Sequence, residues 1–287
     1  MRLLRFDCLI ANQDDDVFTA FLSEQVSWGW EVESAKADTT RYIVYLDTEQ
    51  AAKELSGAIK KQWPRAQCTV VPFEGRDWSE SWKEFFVPVR IRETFVILPP
   101  WRGGHDDVRG LIPIVIQPKM AFGTGHHAST ALCLEAVARL WEKSMITPQT
   151  RFLDLGTGTG ILSLACAKLG LSGLGLDIDP VAVDNALENQ RLNDVEGLLE
   201  IRRGGLEVLE SGQRFGLILA NILAGPLARM AADLVSRLEP AGCLVLSGIL
   251  VDQVARIEKT YQDQALPAPF RLTREEWAAL VWTASSL

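Results

Sequence analysis

The sequence predicts an α/β protein: a mostly parallel, doubly wound sheet preceded by a smaller α+β domain. Three observations carry this reading. From residue 128 onward, apolar strand-like runs (RFLDLG, LGLDI, LLEIRR, GLILAN, CLVLSG) alternate with helical ones (ILSLACAKLG, PVAVDNALENQRLN, PLARMAADLVSRL, VDQVARIEKTYQDQ). Strict alternation of this kind builds a parallel sheet covered on both faces. Residues 1–75 instead read strand, helix, strand, strand, helix, strand. Finally, a glycine-rich turn links the first strand and helix of the alternating part, in RFLDLGTGTGILSLACAKLG from Arg151 to Gly170.

The elements follow in order. Residues 3–11 are mostly apolar and form the first strand. DDDVFTAFLSEQV opens with Asp14 to Asp16, acids suited to the cap and first turn of a helix. WGWEVESAKA and RYIVYLDT read as strands, the second rich in β-branched and aromatic residues. In TEQAAKELSGAIKKQW, Thr48 caps a helix that acids open and lysines close. AQCTVVPFE completes a β-α-β-β-α-β order, which is ferredoxin-like. Trp78, Trp82 and Phe85 recur at helical spacing, so residues 76–90 are expected to form a linker helix. FVILPPW and LIPIVIQP then enter the second domain, 91–287, as a strand pair around the turn-rich RGGHDDVRG. ASTALCLEAVARLWEK forms a helix capped near Ser129, and FRLTREEWAALVWTA closes the chain as two strands turning at Arg274-Glu275.

Composition narrows the function classes. Of 287 residues, 47% are hydrophobic and 23% charged, enough for sizeable cores, yet no apolar run approaches the roughly 20 residues of a membrane span. The N-terminus lacks the apolar stretch of a signal peptide, which points to the cytoplasm. Five scattered cysteines without a CxxC pair read as free thiols, and no metal site is expected from them or from the adjacent His126 and His127. A net charge of −8 disfavours direct nucleic-acid binding and suits a small molecule or a basic protein.

The turn identifies a ligand class. Gly156, Gly158 and Gly160 bare the backbone at the carboxyl end of a strand, where ligands of parallel sheets sit. The spacing is D-x-G-x-G-x-G, and Ile161 stands where a dinucleotide fingerprint needs its third glycine. No Gly-Lys-Ser/Thr follows, which excludes a P-loop. Asp154, expected at the lip of the turn, favours a cationic ligand over a pyrophosphate. Asp177 ends the next strand, in GLGLDIDP, where a carboxylate takes ribose hydroxyls. A sulfonium, an ammonium and a ribose together describe S-adenosylmethionine. Asn221 ends the strand in LILANILAGPL. Its amide suits orienting a nitrogen nucleophile, or else capping the next helix. In PKMAFGTGHHAST, the glycines flanking Thr124 suggest a loop closing over the ligand.

MAFGTGHHASTALCLEAV, FLDLGTGTGILSLACAKLG, GLDIDPVAVDNALENQ, ANILAGPL, the linker WSESWKEFFVPVRI and PPW together resemble the bacterial ribosomal protein L11 methyltransferase family over most of the chain. The family usually has Thr-His-Pro-Thr-Thr after its GTG; here His126-His127-Ala128-Ser129-Thr130 follows. The resemblance implies a Rossmann-like class I methyltransferase domain and a small N-terminal domain that recognises the substrate. The implied activity is transfer of methyl groups from S-adenosylmethionine to lysine and N-terminal amines of ribosomal protein L11. An enzyme of the same fold acting on another protein or a small-molecule amine is the alternative. Phe122, Gly123, Thr124, Thr130, Asp154, Gly156, Gly158, Gly160, Asp177, Ile178 and Asn221 are the expected cofactor residues, with Asn221 also catalytic. A monomer is expected.

Overall fold

The computed structural model describes residues 4–26, 30–36, 38–46, 48–72, 88–102, 110–117 and 127–283. The chain divides into two compact units, Met1–Phe85 and Phe86–Leu287.

In the first unit, strands β1 (Leu4–Ala11), β2 (Glu31–Lys36), β3 (Thr39–Leu46) and β4 (Gln67–Pro72) form one antiparallel sheet in the order β2-β3-β1-β4. Helices α1 (Asp15–Gln25) and α2 (Glu49–Gln62) complete the ferredoxin-like order. Alternation drives the packing: Phe6, Cys8 and Ile10 of β1 are buried while Asp7 and Leu9 are less so. On α2 the buried Ala52, Leu55 and Ile59 recur at spacings of three and four. Thr48 caps this helix by accepting from the Ala51 amide at 3.2 Å, Glu49 lies in its first turn, and Lys60 and Lys61 lie in its last. Phe18 stacks edge-on against Tyr42 and Trp63, at centroid distances of 4.7 and 5.0 Å. The unit thus has a core of its own.

In the second unit, strands β5 (Val89–Ile91), β6 (Phe95–Leu98) and β7 (Ile112–Val115) form a small sheet, β6 antiparallel to β5 and parallel to β7. The strand at Val89–Ile91 corrects the expected linker helix, which was to run to residue 90. Pro88 removes a donor, and Val89 and Ile91 are β-branched residues that pair with Ile97 and Phe95. Trp78, Trp82, Phe85 and most of RGGHDDVRG lie outside the described residues.

The main sheet has seven strands: β8 (Arg151–Leu155), β9 (Ser172–Asp177), β10 (Leu199–Arg203), β11 (Phe215–Asn221), β12 (Leu238–Leu250), β13 (Phe270–Arg274) and β14 (Trp277–Trp282). Their order is β10-β9-β8-β11-β12-β14-β13; β14 is antiparallel to both neighbours and the other pairings are parallel. The last hairpin turns through Glu275, at φ 55°. Helices α3 (Ala128–Glu142) and α4 (Ile161–Lys168) cover one face, sharing a core with Phe152, Leu217 and Val245. Helices α6 (Ala224–Arg229), α7 (Ala231–Ser236) and α8 (Val254–Gln262) cover the other, with Leu153, Ile218 and Leu244. The helix α5 (Pro180–Leu192) follows β9. Burial on both faces explains why GLILA of β11 and CLVL of β12 are continuously apolar. PLARMAADLVSRL, expected as one helix, is two, broken at Met230 (φ −93°, ψ 7°), whose N–H bonds the Pro226 carbonyl.

Candidate active site

The glycine turn follows β8, and hydrogen bonds tie it to the end of β9. The amides of Gly156 and Thr157 both donate to the Leu176 carbonyl, at 2.8 and 2.9 Å. Gly156 (φ 74°), Gly158 (φ 57°) and Gly160 (φ 84°) all take left-handed conformations that a side chain disfavours. Gly160 is also the N-cap of α4. Gly158 donates its amide to Asp177 Oδ2 at 2.9 Å, and the Asp179 amide donates to Oδ1 at 3.0 Å. Each carboxylate oxygen has two acceptor sites, so half-buried Asp177 keeps capacity for two further donors, such as a pair of ribose hydroxyls. Ile178 beside it is 74% exposed, an apolar surface at the rim of the turn. Asp177→Ala is expected to weaken S-adenosylmethionine binding by about 1–3 kcal/mol, the scale of lost hydrogen bonds to a charged group. Exposed Asp184 on α5 is the control, and its alanine variant should bind as the parent does in the same calorimetric titration.

Asp154 does not stand at the lip of the turn. It is fully buried beneath it, on the same face of β8 as Phe152 and under α4. Its Oδ2 accepts from the hydroxyls of Thr157 and Ser163, both at 2.7 Å, and from the Ser163 amide at 3.1 Å. Gly175 of β9 makes this network possible, since a Cβ there would come within 2.9 Å of Ser163 Oγ and 3.0 Å of Thr157 Oγ1. Asp154 Oδ1 has no hydrogen-bond partner among the described residues. Burial pushes its carboxyl up to about 6 from the usual 3.8, against the lowering effect of the three donors, and the nearby Asp177 charge adds to the rise.

Between about pH 4 and 6 the folded chain keeps a proton that the unfolded chain has lost, so this group's contribution to stability falls as pH rises through that window and stays low above it. Asp154→Asn should remove that fall, raising stability relative to the parent above pH 6 by up to about 3 kcal/mol and leaving the two alike near pH 3.5. Melting curves of both proteins from pH 3.5 to 7.5 measure it; parallel curves would show that burial leaves the Asp154 carboxyl at its unfolded value.

Asn221 ends β11 and is no helix cap: the N-cap of α6 is Leu223, which makes no side-chain cap bond. The Asn221 Nδ2 donates to Thr130 Oγ1 at 3.2 Å, while its Oδ1 is buried with no partner among the described residues. Thr130 is itself buried in the first turn of α3, so it sits behind Asn221 rather than at an open surface. His127, not Ser129, is the N-cap of α3; its Nδ1 accepts from the Ser129 amide at 3.3 Å and shares a hydrogen bond with the Ser129 hydroxyl. The next residue after Asn221, Ile222, is held between two glycines. A Cβ on Gly156 would meet its Cγ2 at 2.4 Å, and a Cβ on Gly248 (φ 76°) would meet its carbonyl oxygen at 2.4 Å. Phe122, Gly123, Thr124 and His126 lie outside the described residues.

Sequence reasoning missed two asparagines that serve this site. Asn189 Oδ1 accepts from the Gln117 amide and its Nδ2 donates to the Thr159 carbonyl, both at 2.9 Å. Asn193 brackets Val115, accepting from its amide at 2.9 Å and donating to its carbonyl at 2.6 Å. Together they join β7 and the residues just after it to the glycine turn. Both are buried, in step with Ala182 and Ala186 along one face of α5 and its C-terminal end. Polar residues at core positions of an amphipathic stripe were the available signal.

No group of three or more His, Cys, Asp or Glu among the described residues is placed to hold a metal ion. The groups present suit S-adenosylmethionine: bare backbone at the turn, a carboxylate with spare acceptors at the end of β9, exposed Ile178 beside it, and the unpaired Asp154 oxygen as buried negative charge for a cation. Joined to the order of the seven strands, this defines the class I S-adenosylmethionine-dependent methyltransferases. Comparison with known proteins agrees. The family description "Ribosomal protein L11 methyltransferase (PrmA)" matches residues 3–285. The ribosomal protein L11 methyltransferase of Trichlorobacter lovleyi is 41% identical over 241 residues, 81% of this chain and 77% of that protein. That of Desulforapulum autotrophicum is 38% identical over 254 residues, 86% of this chain and 82% of the relative. The crystal structure of ribosomal protein L11 methylase from Lactobacillus delbrueckii subsp. bulgaricus superposes with a TM-score of 0.61 at 29% identity, covering 68% of this chain and 97% of that one. The chain belongs to the ribosomal protein L11 methyltransferase family.

Proposed function

We propose that this chain transfers methyl groups to lysine side-chain and N-terminal amines of ribosomal protein L11, with Asn221 orienting the amine. The observation that carries this reading is the unpaired, buried Oδ1 of Asn221 at the carboxyl end of β11. An amide oxygen accepts from an amine N–H and leaves the nitrogen lone pair free. Thr130 fixes the amide's other end, so the acceptor is presented in one orientation. S-adenosylmethionine, when bound, supplies a methyl group made electrophilic by its sulfonium. Asp177 and Ile178 would hold its adenosine, and the turn at Gly156, Gly158 and Gly160 its amino-acid end. A free lysine has a pKa of about 10.4, so only roughly one in a few thousand is neutral at pH 7. Desolvation beside a positive charge lowers that pKa, and correct placement lowers the barrier by several kcal/mol on its own.

Residues 1–75 would recognise the substrate. They carry eight basic and twelve acidic residues, a mild bias that suits a basic ribosomal protein. Among the described residues no helix is long and apolar enough to cross a membrane. We place the enzyme in the cytoplasm, as a monomer. The test is incubation with methyl-labelled S-adenosylmethionine and a total ribosomal protein mixture, then mass spectrometry of the labelled band. Label on L11 at amines is the expected result; label confined to another protein would leave the methyltransferase standing and overturn its substrate.

A further inference from the structure

Cys8 of β1 and Cys68 of β4 face each other in direct register across the first unit's sheet. Their sulfurs are 3.4 Å apart. Directly opposed residues of antiparallel strands have Cα atoms about 4.5–5.5 Å apart, within the roughly 4.4–6.8 Å that a disulfide spans. Joining them therefore requires side-chain rotation and no re-registration of the strands. Strand β4 lies at the edge of the sheet among the described residues, and half-buried Cys68 is the more accessible of the two; Cys8 is buried. We propose that Cys8 and Cys68 form a thiol-oxidation site that a small-molecule disulfide converts into an intramolecular disulfide.

The two thiols have distinct parts. Cys68 is the attacking group: the hydrogen bond from Cys8 pulls its thiol down to about 7, against burial and with help from the Ser56 hydroxyl and the Lys60 charge on α2. The Cys8 thiol is pushed up, first by that same hydrogen bond and then by burial, so it keeps its proton and donates it. The Cys68 thiolate attacks one sulfur of the reagent, forming a mixed disulfide and releasing one small thiolate. Cys8 then attacks the Cys68 sulfur; its proton passes to the departing second thiolate. Two protein thiols are oxidised and one small disulfide is reduced to two thiols. The remaining cysteines differ. Cys133, Cys166 and Cys243 are buried, and burial pushes the Cys133 thiol up to about 12 and that of Cys243 to about 11, which marks them as inert.

The test is incubation of the reduced full-length chain with oxidised glutathione under native conditions, followed by intact-mass and peptide-mapping mass spectrometry. The expected wild-type product is lighter by about 2 Da, two hydrogens, is restored by dithiothreitol, and maps to a Cys8–Cys68 cross-link. C8S should stop at the mixed disulfide, retaining one glutathionyl group on Cys68, and C68S should react at neither position. A stable glutathionyl adduct on the wild-type chain, a cross-link between other cysteines, or no reaction at Cys68 would each overturn the proposal. Because the wild-type map decides by itself, a poorly folding variant does not leave the question open.

Discussion

Asn221→Ala should lower the single-turnover methylation rate by about 10²-fold while S-adenosylmethionine affinity stays within about threefold of the parent. The division follows from where the side chain sits. It is anchored through Nδ2 to Thr130 and keeps an oxygen without a partner among the described residues at the end of β11, whereas the turn and Asp177 are held by other bonds. Losing the amide also strips Thr130 of its donor, so a stability loss of about 1 kcal/mol is expected alongside. Thermal melting and single-turnover methylation on one preparation separate the two effects. A melting point that drops while the rate holds would make Asn221 a structural residue only.

Deleting the first unit should have the opposite profile. A chain spanning residues 86–287 is expected to bind S-adenosylmethionine within about threefold of the full protein, yet to methylate intact ribosomal protein L11 slower by more than about 10²-fold. Among the described residues the two units have separate cores: the apolar cluster that holds Phe6 and Phe18 belongs to the first, and the two around Phe152 and Leu153 belong to the second. A unit with its own core is able to fold alone. Starting at Phe86 rather than at 91 preserves β5, without which β6 would lose its antiparallel partner. Full activity of the truncated chain on intact L11 would defeat the assignment of substrate recognition to residues 1–75.

Much of the architecture was legible because long-range physics and local preference agree there. GLILA is apolar throughout because helices cover both sides of it, and Thr48 with its acids and lysines marks a helix from both ends. Short elements were harder. Val89–Ile91 offers three residues, too few for a period, and the aromatic spacing just before it suggested a helix running on. Met230 carries no breaker signature, so nothing in PLARMAADLVSRL announces two helices. At the site, the turn and both strand-end residues could be read from spacing, since strands and helices have few ways of ending. The depth of Asp154 was not read, because a carboxylate beside a glycine turn suggested its lip. Asp154 shares a face of β8 with Phe152, the face that α4 covers, so a carboxylate there belongs under the helix. Asn189 and Asn193 remained hidden because their partners, Thr159, Gln117 and Val115, lie far away along the chain.

The confinement of Ile222 has a consequence for how this enzyme can change over generations. Ile222, the residue after Asn221, is hemmed at its side chain by Gly156 and at its backbone by Gly248, and neither leaves room for even a methyl group. Replacement at either glycine has to displace Ile222, the residue beside the proposed amine acceptor. Substitutions within this wall are therefore a costly route to a new nucleophile geometry. Lineages that acquire new substrates have an easier course at positions outside it, such as exposed Leu223, where a substitution meets solvent.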